Sequence, residues 1–131
     1  MNKQFKTITE HNKSFNTNLK ELCLKNKGFT FKIDLKPNNS KNGFYISITD
    51  NNHKDINKAI YNLIDIRNTT FKHLSNKLLN IGFWKDNETN KFYLDLTIHN
   101  KNKENALLIA KLFNQKAIWD IKNFKEIRVL N

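Results

Sequence analysis

The chain has little of what covalent cross-links and phosphate-gripping loops require: one cysteine, one proline and three glycines among 131 residues. A lone Cys23 forms no internal disulfide, and its place in the apolar run Leu19, Leu22, Cys23 favours a small buried hydrophobe over a reactive thiol. Gly28, Gly43 and Gly82 stand apart from one another. P-loop and dinucleotide fingerprints need closely spaced glycines so that backbone can approach an anion, and both are excluded. His11, His53, His73 and His99 are scattered, so no metal is expected. No serine or cysteine sits in a recognisable histidine and carboxylate signature, so no catalytic residue is assigned and no cofactor is expected. No stretch approaches the ~18 consecutive apolar residues of a membrane span. The opening MNKQFKTITE lacks a signal peptide's apolar core and cleavage site. A cytoplasmic protein with no membrane partner is the expectation.

Acidic residues are also scarce. Lys and Arg number 23 against 12 Asp and Glu, a formal net charge of +11, yet the only arginines are Arg67 and Arg128. AT-rich coding favours lysine, asparagine and isoleucine, but it would raise glutamate too, so drift alone does not explain the imbalance. A field of this sign attracts phosphates, nucleotides, nucleic acid or an acidic protein. The plain alternative is a lysine-rich surface with no partner.

What is present suits one domain over 1–131: an N-terminal arm and helix over 1–27 and a sheet-and-helix core over 28–131. With 38% hydrophobic and 11% aromatic residues it can build one core. Helical spacing of Phe15, Leu19, Leu22 and Cys23 predicts a helix over 12–26, ended near Gly28. Phe29, Phe31, Ile33 and Leu35 alternate with polar residues, as do Phe44, Ile46 and Ile48, and the two strands are expected to pair as a hairpin across 36–43. A helical pattern runs over 54–79 with a weak point at Asn68-Thr69-Thr70 and a cap at Asp50, Asn51 or Asn52. A second hairpin joins 81–85 to 91–99, a third helix covers 103–113, and a last hairpin joins 117–121 to 126–130. The class is α+β: an antiparallel or mixed sheet of about six strands in three hairpins with about three packed helices.

Alternation places Phe83 and Trp84 on opposite sides of a strand, so one of these rings must leave the core, and Ile118 and Trp119 pose the same choice. An exposed ring beside lysines can stack a nucleobase while the charge holds a phosphate; the alternative is that a subunit covers it. The outward face of 93–99 presents Tyr93, Asp95, Thr97 and His99. Cooperation of Asp95 with His99 is one reading, an ordinary solvated face the other.

From residue 28 onward the chain resembles the type 1 Thoeris anti-defence proteins of bacteriophages. The resemblance lies in Gly28-Phe29-Thr30, in Gly43-Phe44-Tyr45-Ile46-Ser47-Ile48-Thr49, in the hairpin from Gly82-Phe83-Trp84 to Tyr93-Leu94-Asp95, and in Asn114-Gln115-Lys116-Ala117-Ile118-Trp119-Asp120, in that order. It covers roughly three quarters of the chain and implies a non-enzymatic sponge that captures a cyclic ADP-ribose-type messenger, or a cyclic oligonucleotide in some relatives, and leaves it intact. Within the matched segments, and at Arg67, residue chemistry selects the expected contacts. Phe83 and Trp84 would stack the base, Lys85, Arg67 and Arg128 would meet the pyrophosphate, and Asn114 and Gln115 would bind ribose or base edges.

The alternative is a small basic nucleic-acid-binding or anti-restriction protein using the same lysines and rings, and a third class is a phosphodiesterase working through Asp95 and His99. The nearly continuous apolar run Ala117, Ile118, Trp119, Ile121 with Ile127, Val129 and Leu130 predicts a homo-oligomer, with Arg128 or Lys116 of one copy near the aromatic hairpin of another. The competing reading has the helical region 54–79 cover that surface within one chain.

Overall fold

The structure, a computed structural model, describes residues 2–130, with side chains from Ser14 onward; Met1 and Asn131, and the side chain of His11, lie outside the described residues. Along the chain come α1 (Asn2–Lys25), β1 (Gly28–Lys32), β2 (Phe44–Ser47), β3 (Asn52–His53), α2 (Ile56–Asn68), β4 (Asn80–Asp86), β5 (Lys91–Asn100), α3 (Lys103–Leu112), β6 (Ala117–Asp120) and β7 (Lys125–Arg128). The strands form one antiparallel seven-stranded sheet in the order β1-β4-β5-β2-β6-β7, with β3 also paired to β5. The α+β class is therefore as expected. Among the described residues no helix is long and apolar enough to cross a membrane.

Strand parity explains the layering. Phe29, Phe31, Ile81, Phe83, Leu94, Leu96, Ile46 and Ile118 fall on one face, and the three helices pack there. Leu19 and Cys23 of α1 and Ile56, Ala59, Ile60 and Leu63 of α2 complete one core cluster; Ala106 and Ala110 of α3 complete a second around Ile46 and Ile118. A one-residue slip of β4 along β5 would trade Ile81 and Phe83 for Gly82 and Trp84 on the core face. At about 2 kcal/mol per large apolar side chain lost from the core, that slip is forbidden.

The expected hairpin between β1 and β2 is a correction. β1 pairs with β4, while β2 lies between β5 and β6. The cause is local. Leu35 takes a left-handed backbone (φ 66°), its N–H closes a turn on the Lys32 carbonyl, and the chain doubles back so that Pro37 bridges Phe31 and the Asn38 N–H reaches the Thr30 carbonyl. The edge of β1 that β2 would have joined is taken by its own loop. The hairpins β4–β5 and β6–β7 form as expected.

Two further expectations shift. The helical pattern of 54–79 ends at Asn68, and 69–79 is a coil of turns rather than a resumed helix. The cap of α2 is Asp55, whose carboxylate accepts the Asn57 N–H at 2.8 Å, not Asp50, Asn51 or Asn52. Asn51 is buried instead, donating to the Ala59 and Leu94 carbonyls at 2.8 Å each. It belongs to a bulge: from Ser47 to Asn52 is five residues, while from their partners Thr97 to Tyr93 is four. The extra residue re-aims the strand and brings Thr49 and Asn51 onto Asp95.

Candidate functional site

Behind the sheet, on its helix-covered face, lies a cavity of about 290 Å³ whose floor is Leu63, Ile81 and Leu96, with Phe15 of α1, Ile33 and Ile64 as walls. Its polar lining is Arg67, Asn68, Lys72 and Asn76, and no carboxylate lines it among the described residues. The helix end creates this rim. Asn68 and Thr69 stop α2, with the Thr69 hydroxyl turning back on the Asp65 carbonyl at 2.7 Å, and the coil that follows is gathered by one guanidinium. Arg67 donates from Nη1 to the Phe71 carbonyl at 2.6 Å, and from Nη2 to the Leu74 carbonyl at 2.9 Å and the Asn76 side chain at 2.6 Å. Its remaining N–H groups have no partner among the described residues. The carbonyl end of α2 contributes about half a negative charge, which disfavours an anion there, but Arg67 and Lys72 together outweigh it about fourfold. An apolar floor under a cationic and amide rim can hold a ring with an anionic group at its mouth.

The opposite face of the sheet is not covered by a helix among the described residues. It carries Trp84, 55% exposed, beside Tyr93 with ring centroids 5.5 Å apart, then Gly82 across from Asp95. Asp95 accepts from the Thr49 hydroxyl at 2.6 Å and the Asn51 N–H at 2.8 Å, both on Oδ1. Burial nevertheless pushes its carboxyl up to about 6, against the pull of those two bonds.

The residues expected to share one ligand are distributed over both faces. Phe83 is the clearest correction as a stacking ring: it is 4% exposed, and its faces are taken by Phe29 at 5.1 Å and Phe92 at 6.1 Å. Trp84 is the ring that leaves the core. Lys85 lies over Phe92, with Nζ 5.5 Å from its centroid. Asn114 takes a left-handed turn (φ 56°) after α3, and Gln115 is engaged internally, donating to the Thr49 and Phe113 carbonyls. Lys116 and Arg128 adjoin at the start of the β6–β7 pair, where the Val129 N–H meets the Lys116 carbonyl. Arg128 and Trp84 are four strand spacings apart, about 19 Å, and Arg67 is behind the sheet, so no single small ligand touches all three. Of the pair Ile118 and Trp119, Ile118 is buried and Trp119 is 41% exposed.

Asp95 and His99 do not meet either. Four residues along one strand place them about 13 Å apart, and His99 Nε2 lies 2.9 Å from the Asn42 carbonyl, its ring against Tyr45. Sequence reasoning missed Lys72 and Asn76, and placed Tyr93 on the outward face without pairing it with Trp84. Asn68, Lys72 and Asn76 recur at helical spacing, which disguised a turn as a helix face. Comparisons with protein-family models, with curated proteins and with solved structures found no match.

Proposed function

We propose that the chain is a non-enzymatic sponge for a nucleotide messenger, a cyclic ADP-ribose isomer or a cyclic oligonucleotide, acting against a host defence in the cytoplasm. The observation that carries this reading is the cavity in which Arg67 and Lys72, with Asn68 and Asn76, rim an apolar floor without a carboxylate. A phosphate would sit against the two cations and a base or ribose over Phe15, Leu63 and Leu96. The net charge of +11 would raise the local concentration of such a ligand, and the ordered resemblance described above points to the same class.

Incubation with cyclic ADP-ribose isomers and cyclic oligonucleotides, followed by filtration, should deplete one of them, and heating the retained protein should release it unchanged. Lys72→Glu should weaken retention by at least about tenfold, the effect of roughly 1.4 kcal/mol. Release of a cleaved product would establish an enzyme instead. Retention of nucleic acid alone, lost steeply as salt rises, would establish the nucleic-acid reading.

The same reading includes self-association. Leu108 and Leu112 of α3 are 59% and 77% exposed, and Phe124 and Leu130 are each 80% exposed. A second copy covering some of these side chains is the proposed partner, although Ile118, Ile127 and Val129 of the apolar run pack under α3 within the chain; light scattering that returns a 15.5 kDa monomer with and without ligand removes it.

A further inference from the structure

The two edges of the sheet are finished differently. At the β1 edge the chain's own loop closes the strand: Pro37 bridges Phe31, and the Asn38 N–H reaches the Thr30 carbonyl. At the other edge β7 pairs with β6 alone, and its outer side carries no strand among the described residues. An open edge of this kind is a template for another strand. The ladder fixes which groups it presents. The Val129 N–H bonds to the Lys116 carbonyl, and bonded pairs alternate along an antiparallel ladder, so Lys125, Ile127 and Val129 turn their backbone groups toward β6. Glu126 and Arg128 turn theirs outward. Their side chains are exposed and share the sheet face of Trp119, the residue opposite Glu126, while Ile127 lies on the α3 side with Ile118. Flanking the strand are Phe124 and Leu130, each 80% exposed.

We infer that β7 is a dimer seam, pairing antiparallel with β7 of a second copy about a two-fold axis through Ile127. Self-complementarity selects this register. A shift of one residue sets an outward side chain opposite an inward one, which the pleat forbids. Centring the axis on Glu126 opposes two glutamates, and centring it on Arg128 opposes two arginines. Centring it on Ile127 sets Glu126 of each copy against Arg128 of the other, at the positions whose backbone groups face the seam. Each such pair exchanges two N–H···O=C bonds, and the two Ile127 side chains meet at the closer, non-bonded position. The same register brings Phe124 of each copy toward Leu130 of the other, drawing exposed apolar surface out of water. An acidic peptide would suit the net charge of +11, but it would set a carboxylate against Glu126. A second copy answers both signs. The seam rests on the self-association reading, whose interface it supplies, and not on the nucleotide reading.

Sedimentation of the full chain at about 100 µM, enough to fill a dimer of micromolar affinity, should return twice the 15.5 kDa monomer mass. Glu126→Arg leaves two positive charges at the outward positions, and Arg128→Glu leaves two negative ones. Either change alone should weaken the dimer at least about tenfold, since two attractive cross-strand pairs become repulsive. The two variants mixed in equal amounts should associate with each other to within about threefold of the wild-type strength, and so should the chain carrying both substitutions with itself. Rescue on mixing also shows that each variant still folds. A monomer at this concentration would remove self-association altogether, and the seam with it. A dimer that the single substitutions leave intact, or one that mixing fails to restore, would overturn the seam and leave self-association to the α3 surface.

Discussion

Neutralising Asp95 should make the protein more stable at alkaline pH and no more stable in acid. The carboxyl is raised from 3.8 to about 6 by burial, against hydrogen bonds that pull it down. Between about pH 4 and pH 6 the folded chain therefore holds a proton that the unfolded chain has released. Stability falls as pH rises through that window, and the whole cost is present above it. A difference of about two pH units corresponds to roughly 3 kcal/mol; because Asp95 is only partly buried, about 2 kcal/mol is the working figure. Asp95→Asn retains an oxygen to accept from Thr49 and the Asn51 N–H, and carries no charge. Urea unfolding of both proteins at pH 8 and at about pH 3, below the whole window, isolates the effect, because repulsion among the other charges is common to the pair. At pH 8 the variant's midpoint should rise by about 1 M, given the usual urea slope for small domains, and the two curves should converge on acidification. A variant no more stable at pH 8, or a gap that persists in acid, refutes the burial argument.

Arg67→Ala should cost about 2 kcal/mol in urea unfolding, since one guanidinium serves two carbonyls and an amide oxygen, and Arg67→Lys should not restore it because an ammonium lacks the planar fork. Gly43→Ala should be more damaging than an ordinary loop change, by about 2 kcal/mol or more: its φ is +89° and a Cβ would meet the His99 ring at 2.5 Å. Its thermal midpoint reads this directly, and a wild-type value would contradict it. Cys23, buried and pushed up to about 12, should resist an aromatic disulfide reagent in the folded protein at pH 8 and react at once in denaturant. Rapid reaction of the native thiol would show that α1 does not seal it.

Legibility followed period. Where apolar residues alternate, as in Phe92, Leu94, Leu96 and Ile98, strand and buried face are both readable, and the same parity foretold that one of Phe83 and Trp84 must face outward. It did not say which, because that depends on where the helices pack. Strand pairing was not legible for β1 and β2: their patterns suit any apolar neighbour, and the decision rests on a left-handed Leu35 that has no glycine or asparagine to announce it. The bulge was hidden for a similar reason, since Asp50, Asn51 and Asn52 read as caps for the following helix. Of the site, Arg67 was chosen for its charge alone. Lys72 and Asn76 join it only because Thr69 ends the helix.

The sheet order also bears on how the chain assembles. The β4–β5 hairpin closes over a turn of four residues, in which Asp86 accepts from the Glu88 N–H and the Thr89 hydroxyl. β1 and β2 then join its two outer edges, Phe29 against Phe83 and Ile46 against Ile98, each across more than fifty residues of chain. Closing such a loop costs roughly 3.5 kcal/mol in chain entropy beyond the constant term. The hairpin therefore has to exist as a template before either flanking strand can zip onto it. Changes at Ile81, Phe83, Leu94 or Leu96 should slow folding, whereas changes in β1 should chiefly hasten unfolding. The face that carries Trp84, Tyr93 and Asp95 is thus built on the earliest part of the protein to form.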